Sequence, residues 1–376
     1  MNRGFYLTLM MGGFNASPVG EAVIDALTEV QVTSTVGSQA GFQLKFGWGK
    51  NSEIARMMAA GAFDPRQRVI IAVTVNGSTE VLMDGIITKQ DFAPSSQAGK
   101  AALTITGLDL TALMDFIDFT GLPYPAMPPF AIVDMVLAKY APMGVYPVAI
   151  PNAIPSFENP LSHFVKQQGT DYAYIQSFCQ ETGWIFYLNP GPTPGTSMAY
   201  WGPDISKYFP STQPAMSINI DAETNVDSLS FSYDGMASTQ YIVTVIEPES
   251  GIPIVVPVPN IGLFKATYAA QAPVPLKSEQ GPKGEANISL VDAALWGLGK
   301  LFASSDAITG SGSLDVLRYG HVFKARELCQ VRGAGDYYDG KYYVKSVTHN
   351  IKRGEYKQNF TLARGGVKSS ISTVSL

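Results

Sequence analysis

Two stretches of the chain follow the same plan, and this repetition limits the possible folds more than any other feature of the sequence. Residues 68–108 run as strand, tight turn, strand, polar loop and strand, and residues 326–364 do the same. The offset is about 258 residues, which places Arg68 over Arg326. Because turn, strand and loop lengths agree together, we interpret the stretches as copies of one β-domain. The alternative is a chance similarity between two ordinary hairpins.

The last strand pair, residues 340–364, has large or β-branched side chains on both faces. Along its first strand the two alternating sets are Tyr343, Lys345, Val347 and His349, and Val344, Ser346, Thr348 and Asn350. Successive side chains of a strand point to opposite faces of the sheet, and here neither face is cleanly polar. The pattern raises the question of what covers the second face.

The composition indicates a β-rich protein with surface that meets other proteins. Of the 376 residues, 15% are charged and 46% are hydrophobic, whereas soluble domains carry about a quarter charged residues. With 36 Gly and 25 Pro, the chain fits many strands joined by turns, in two or three domains. The net charge of −5 is spread without blocks, which argues against nucleic-acid binding.

Local signals place elements in the first hundred residues. Alternating segments predict strands at residues 28–35 and 41–48, and Ser52 is placed to cap a short helix. Asn76 and Gly77 are the pair typical of a two-residue β-hairpin turn.

Residues 109–222 change to a helix-and-strand pattern, which predicts a small α/β domain. One of its helices presents Tyr172, Ile175 and Phe178 on one face, and we expect these side chains in a core. Gly183 is expected to end that helix, because glycine readily adopts the left-handed conformation of a helix C-terminus.

Residues 250–313 are interpreted as an insertion that contains an apolar helix at residues 288–303. Its flanks, including the Gly-Ser run at residues 310–313, are interpreted as flexible. Two hypotheses for the helix stay open: it folds onto its own subunit, or it docks a partner. The helix is too short to span a bilayer, and no cleavable leader is recognised, so we expect a cytoplasmic product without signal peptide or membrane insertion.

No motif predicts a catalytic, cofactor-binding or metal site. The histidines, His163, His321 and His349, have no metal-ligand spacing, and neither cysteine lies beside one of them. His349 falls on a predicted strand, where a packed or rim position is expected. Cys179 and Cys329 lie in apolar segments and are interpreted as buried free thiols rather than a disulfide.

Nucleophile, phosphate and carboxylate chemistry are also disfavoured. The Gly-Ser run lacks the spacing of a nucleophile elbow, and residues 332–340 are interpreted as a hairpin turn rather than a phosphate loop. Asp171 and Glu181 lie ten residues apart on one predicted helix, too far for the carboxylate pair of a glycosidase. We therefore predict a protein that is not an enzyme.

Three segments resemble the hub proteins of contractile injection machines. They are DGIITKQDF at residues 84–92, DYAYIQSFCQETGWIFYL at residues 171–188, and the strand pair at residues 340–364. This group includes the central hub of contractile phage tails, the phage late control protein D family and the hub part of the type VI secretion spike protein VgrG. The resemblance covers most of residues 5–365, and it depends on the order and spacing of the segments.

The resemblance implies an α+β, β-dominated fold in which two tube-like β-barrel domains from an internal duplication flank a small α/β domain. The corresponding parts are residues 1–108, residues 109–222, residues 223–364 with the insertion 250–313, and a C-terminal tail at 365–376. It further implies a homotrimer, so that three chains place six barrels in a ring. A strand that lines such a ring or joins a neighbouring barrel would have no free polar face.

The function implied is that of a structural baseplate hub in a phage tail or tail-like injection particle. Its pseudo-sixfold ring adapts a hexameric inner tube protein to a trimeric spike, among other baseplate proteins. No spike domain is recognised before Leu376, so a separate spike protein is expected. The alternatives are a tail-associated peptidoglycan hydrolase and a glycan- or receptor-binding tail module.

Overall fold

A computed structural model of the chain describes residues 4–95, 101–125, 127–151, 166–202, 212–220, 223–237, 239–246, 253–257, 268–271, 276–281 and 306–369. Across these residues strands far outnumber helices, so the predicted β-dominated fold is confirmed. None of the described helices is long and apolar enough to cross a membrane.

The first β-region contains seven strands and two short helices. In chain order they are β1 (Phe5–Gly12), β2 (Ser17–Pro18), α1 (Glu21–Ala26), β3 (Leu27–Thr35), β4 (Gly41–Gly47), α2 (Glu53–Ala59), β5 (Arg68–Val75), β6 (Ser78–Ala93) and β7 (Ala102–Asp109). Ser52 caps α2, since its side chain accepts a hydrogen bond from the Ala55 N–H at 3.2 Å. Asn76 and Gly77 have φ values of 49° and 85° in the turn between β5 and β6. Both local predictions are confirmed.

The middle region packs helices against a three-stranded sheet. Its elements are a 3-10 helix (Leu110–Asp115), α3 (Pro129–Ala138), a second 3-10 helix (Ala141–Met143), β8 (Val145–Ala149), α4 (Asp171–Thr182), β9 (Ile185–Pro190) and β10 (Ser197–Gly202). Strand β10 lies in the centre, parallel to β8 and antiparallel to β9. This region has a hydrophobic core of its own.

Helix α4 ends as the sequence predicts, because Gly183 adopts a left-handed conformation with φ 68°. Ile175 and Phe178 are buried in the middle core, as predicted. Tyr172 is only half-buried at the edge of this core, and Tyr174 is buried instead. The predicted core face is thus correct at its centre and shifted at the first turn.

The second β-region contains the remaining strands and one short helix. They are β11 (Met216–Ser217), β12 (Ser228–Tyr233), β13 (Thr239–Ile246), β14 (Pro253–Pro257), β15 (Ala269–Gln271), β16 (Lys277–Gly281), β17 (Ile308–Asp315), α5 (Val316–Tyr319), β18 (Leu328–Arg332), β19 (Gly340–Lys352), β20 (Glu355–Arg364) and β21 (Val367–Ser369). Thr212 bridges to Leu328, and β11 pairs with β18. Residues from Thr212 onward therefore pair with the second β-region, whereas the sequence placed the boundary at residue 223.

One sheet of 13 described strands joins both β-regions. Its order is β12-β17-β20-β19-β3-β4-β7-β6-β5-β1-β2, with β18 beside β19 and β11 beside β18. The junction is the antiparallel pair of β19 and β3, which runs from Ser346 opposite Thr35 to Lys352 opposite Glu29. A single hydrophobic cluster draws side chains from both β-regions.

The two β-regions repeat one order of strands. In the first, β6 lies between β5 and β7, and β4 and β3 follow beyond β7. In the second, β19 lies between β18 and β20, and β17 and β12 follow beyond β20. A short helix precedes β5 in one region and β18 in the other.

Backbone hydrogen bonds give the residue correspondence between the regions. The Arg66 N–H donates to the Ile87 carbonyl at 2.8 Å, and the Arg326 N–H donates to the Val344 carbonyl at 2.8 Å. Both arginines have positive φ, 75° and 67°. Arg326 therefore corresponds to Arg66, and the predicted alignment with Arg68 is wrong by two residues because the first hairpin is longer.

The insertion ends earlier than the sequence indicated. Gly310 and Gly312, interpreted as flexible linker, lie inside β17, which pairs with β12 and β20. A Cβ at Gly310 would lie 2.9 Å from the Phe231 ring, and one at Gly312 would lie 2.8 Å from the Phe360 ring. Glycine is needed here because aromatic side chains lie directly on the strand.

Two strands of the insertion, β14 and β16, pair with β13, which precedes the insertion, and β15 pairs with β21 near the end of the described chain. The apolar helix predicted at residues 288–303 lies outside the described residues.

A buried ion pair ties the first β-region to the middle region. Arg68 donates from two nitrogens to the two carboxylate oxygens of Asp84, at 2.8 and 2.7 Å. The same guanidinium donates to the carbonyls of Met143 and Gly195, at 2.8 and 3.2 Å. These hydrogen bonds offset only part of the desolvation of two buried charges, because burial still raises the pKa of Asp84. The pair and its carbonyl partners tie the two regions together.

Candidate assembly surface

Eight adjacent strands of the large sheet, from β12 to β6, turn one polar face outward. Its side chains are Ser228, Ser230 and Ser232 of β12, Thr309, Ser311 and Ser313 of β17, Lys357, Asn359 and Thr361 of β20, Ser346, Thr348 and Asn350 of β19, Gln31, Thr33 and Thr35 of β3, Gln43 and Lys45 of β4, Thr104 and Thr106 of β7, and Lys89 and Asp91 of β6. We call this set the polar face. The residues between them mostly point into the core.

The polar face corrects one expectation about the last strand pair. Tyr343 and Val344 are both buried, so both faces are covered there, as expected. From Ser346 onward the strands alternate between polar and buried side chains, as Lys357 and Phe360 illustrate. The expectation that neither face is polar is wrong for this part, because the polar alternation begins only after the irregularity in β19.

Side-chain hydrogen bonds join neighbouring strands across the polar face. The Thr33 and Thr348 hydroxyls lie 3.2 Å apart, and the Ser230 and Ser311 hydroxyls lie 3.1 Å apart. Charged groups on this side include pairs of opposite charge, such as Lys89 with Asp91 at 2.9 Å. Across these eight described strands, the side chains of this face are polar or charged.

Both ends of the polar face are free strand edges among the described residues. Strand β6 pairs with β5 only as far as Ile86, and from Thr88 to Ala93 its described pairing is with β7 alone. All six of those residues are exposed. Strand β12 pairs with β17 alone in the described chain. Such edges present backbone N–H and C=O groups that can accept a further strand.

A groove of about 600 Å³ lies between the middle region and the two β-regions. The Tyr187 and Tyr200 rings lie 5.2 Å apart along it, and the Arg326 guanidinium lies 4.2 Å from the centre of the Tyr187 ring. Lys324 pairs with Glu80 at 2.8 Å across its margin. The Arg326 contact joins the middle region to the second β-region, and the ion pair joins the two β-regions, so we interpret the groove as a structural junction.

His349 lies in the core beneath the polar face. Phe323 fixes the Gln358 amide, because the Phe323 N–H donates to its oxygen and the Phe323 carbonyl accepts from its nitrogen. That nitrogen therefore donates to Nδ1 of His349 at 3.0 Å, and the Tyr356 hydroxyl lies 2.7 Å from the same atom. Burial lowers the pKa of His349 to about 3, so the ring is neutral and packed.

His321 takes no part in this cluster. His321 is exposed on the loop after α5, and its ring lies 6.5 Å from that of Tyr319. His163 lies outside the described residues. The described residues contain no group of three or more His, Cys, Asp or Glu side chains that could hold a metal ion.

Cys179 and Cys329 are free and buried, as the sequence predicts. Burial raises the pKa of both thiols to about 12. A thiol of this pKa is almost wholly protonated at neutral pH, so neither cysteine is poised as a nucleophile.

The loop at residues 332–340 connects β18 and β19 as a hairpin, as interpreted from its composition. Arg364 holds this loop, because its buried guanidinium donates to the carbonyls of Asp339 and Tyr337 at 2.7 and 2.8 Å. No sequence signal singles out this role of Arg364, since the Asp339 and Tyr337 carbonyls lie more than twenty residues earlier.

Asp171 stabilises the fold of the middle region. Its carboxylate accepts hydrogen bonds from Lys139 at 2.7 Å, from the Tyr140 hydroxyl at 2.8 Å and from the Gln167 amide at 2.8 Å. Burial and the neighbouring Asp171 carboxylate raise the pKa of Tyr140. Glu181 is exposed near the other end of α4. The structure thus does not bring this pair of carboxylates together.

Comparison with known proteins shows which solved structures have a similar fold. No protein-family model and no curated protein matches the sequence. The fold matches the 43 kDa tail protein of prophage MuSo2 from Shewanella oneidensis with a TM-score of 0.63 and 13% identity, over 96% of this chain and 99% of that one. It matches the tail protein from Neisseria meningitidis MC58 with a TM-score of 0.62 and 12% identity, over 97% and 98% of the two chains.

A chain of the lidded Francisella PdpA-VgrG complex matches with a TM-score of 0.58 and 9% identity, over 100% of this chain and 55% of that one. The chain therefore has the fold of phage tail proteins and of a chain in a VgrG complex. The predicted resemblance to hubs of contractile injection machines is confirmed at the level of fold.

Proposed function

We propose that this protein is the structural hub of a contractile tail or injection particle and that it carries no catalytic activity. The observation that supports this most is the repeated strand order of the two β-regions, within a fold shared almost end to end with two phage tail proteins.

The proposal assigns each β-region to one tube-like β-barrel of a homotrimer. Two similar units in each of three chains provide six similar units around one axis. Such a ring matches a hexameric inner tube protein on one side and a trimeric spike on the other. Duplication within the chain thereby resolves the mismatch between sixfold and threefold symmetry.

The polar face is assigned to the inside of this ring. A channel wall for passing cargo needs few groups that bind it, and the polar face offers short side chains that pair with one another. The middle region, fixed to the first β-region through Arg68 and Asp84, is placed at the periphery, where it braces the trimer. In this proposal the hub binds a separate spike protein and other baseplate proteins.

The test is co-purification with the tube and spike proteins encoded beside it. We expect the protein to bind a spike trimer and to cap a tube ring, and electron microscopy should show a ring with six similar units. Failure to bind either protein would contradict the hub. Lysis of purified peptidoglycan, or specific binding on a glycan array, would replace it with one of the two alternative functions.

A further inference from the structure

We propose that the free edge of β6 pairs antiparallel with the free edge of β12 from a second copy of this chain. Five residue pairs form, from Lys89 opposite Asp234 to Ala93 opposite Ser230. The polar face then continues from one copy to the next. The pairing rests on the correspondence between the two β-regions, and only the number of copies rests on the trimer proposed above.

The chain contains a precedent for this contact. Strand β19, which corresponds to β6, pairs with β3 over seven residue pairs. Strand β3 belongs to the first β-region, so this pair joins the two regions inside one molecule. The corresponding partner of β6 is β12, whose outer edge is free among the described residues.

An irregularity in each strand shows which residues of β6 and β19 correspond. The pairing of β6 with β7 shifts register between Ile87 and Lys89, and the pairing of β19 with β20 shifts register between Val344 and Ser346. The arginine hydrogen bonds described above place Ile87 in correspondence with Val344. Lys89 therefore corresponds to Ser346, and Asp91 corresponds to Thr348.

The register of β12 follows from its neighbours. The order β3-β4-β7 in the first β-region repeats as β12-β17-β20 in the second. The residue pairs between these strands show that Ser232 corresponds to Thr33. Thr348 pairs with Thr33 inside the chain. Asp91 should therefore lie opposite Ser232 of the second copy.

Side-chain chemistry at the two edges supports this register. Phe92, which is 39% exposed, comes opposite Phe231, so two aromatic rings cover each other across the strands. Lys89 comes opposite Asp234, which pairs opposite charges. Pro94 follows Ala93 and lacks an N–H, which limits the ladder to about five pairs.

Disulfide trapping tests the pairing directly. Asp91→Cys with Ser232→Cys should form a disulfide between copies, visible as covalent oligomers on a non-reducing gel. Thr33→Cys with Thr348→Cys is the matched positive control, because these hydroxyls lie 3.2 Å apart in one chain, and its disulfide should leave a monomer. Asp91→Cys with Ser228→Cys uses the same strands four residues out of register and should form little disulfide.

The native thiols do not interfere, since Cys179 and Cys329 are buried with a raised pKa. All substituted positions lie on the polar face, and circular dichroism checks that each variant folds. A second measurement needs no substitution: in the wild type, the alternate backbone amides of residues 89–93 that point away from β7 should exchange at least tenfold more slowly when the copies assemble.

The outcomes separate this inference from the proposed function. A trimer by light scattering without the disulfide between positions 91 and 232, while the positive control closes, overturns the pairing and leaves the hub intact. The disulfide in an assembly that is not a trimer supports the pairing and overturns the trimeric hub. Protection of residues 89–93 only when an unrelated protein binds would assign this edge to that partner and overturn the pairing.

Discussion

Strands β6 and β19 occupy the same place in the two β-regions, yet their surroundings differ. Val347 and His349 of β19 are buried, and β3 covers the far edge of that strand. The corresponding Gln90 and Phe92 of β6 are exposed. The two strands follow one plan, so the exposure of β6 reflects what a single chain lacks rather than a different type of strand.

The largest expected effect is in the second β-region, where β3 covers the edge of β19. Phe360→Ala removes a buried ring that contacts Phe323, with centroids 5.2 Å apart. We expect a loss of about 3–5 kcal/mol in the free energy of unfolding, as for other buried aromatic truncations. Urea denaturation at fixed protein concentration measures it. A loss below about 1 kcal/mol would mean that the sheet does not pack as described.

Acid should destabilise the junction of β19 and β3 through His349 of β19. Its folded pKa of about 3 lies below the usual value of 6.5, so the unfolded state binds the extra proton. The histidine contribution is therefore fully present above pH 6.5 and is lost as the pH falls toward 3, at up to about 1.4 kcal/mol per pH unit. Unfolding of the wild type and of His349→Gln across this window measures the slope. Equal slopes for both proteins would contradict the assignment of a neutral, buried ring.

Phe92, on the uncovered strand β6, should behave differently from Phe360. Phe92 is half-exposed and touches Trp48, with ring centroids 4.9 Å apart. We expect Phe92→Ala to lower the free energy of unfolding by less than about 1 kcal/mol but to weaken self-association clearly. Denaturation under dissociating conditions and sedimentation velocity separate the two effects. A large loss of stability with unchanged association would place Phe92 in the core of one chain.

The smallest expected effect concerns a charge at the same edge. Lys89→Glu should change the free energy of unfolding by less than about 1 kcal/mol, because its pair with Asp91 is exposed. Association should weaken at low salt, since the introduced carboxylate would meet Asp234 of the next copy. The double variant Lys89→Glu, Asp234→Lys should recover part of the lost association. No difference between single and double variants would argue against this register.

Local features of the fold could be predicted from the sequence because their causes are local. Ser52, the Asn76–Gly77 turn and Gly183 each act within a few residues of their own position. The meander of β5, β6 and β7 could be predicted for the same reason, because these strands follow one another along the chain.

Features that depend on distant partners could not be predicted. The pairing of β19 with β3 joins residues more than 300 positions apart, so no window of sequence contains it. The run at Gly310 and Gly312 reads locally as a linker, because the aromatic rings that lie on these glycines, Phe231 and Phe360, are also distant in sequence. The polar face cannot be predicted for the same reason, since it exists only when eight strands lie side by side.

The number of chains in the assembled particle tests the central claim most directly. Native mass spectrometry of the wild type, alone and with its spike partner, gives this number without any substitution. Six similar units from a duplicated chain predict three copies of this protein in the complex. A stable complex with two, four or six copies would contradict the account.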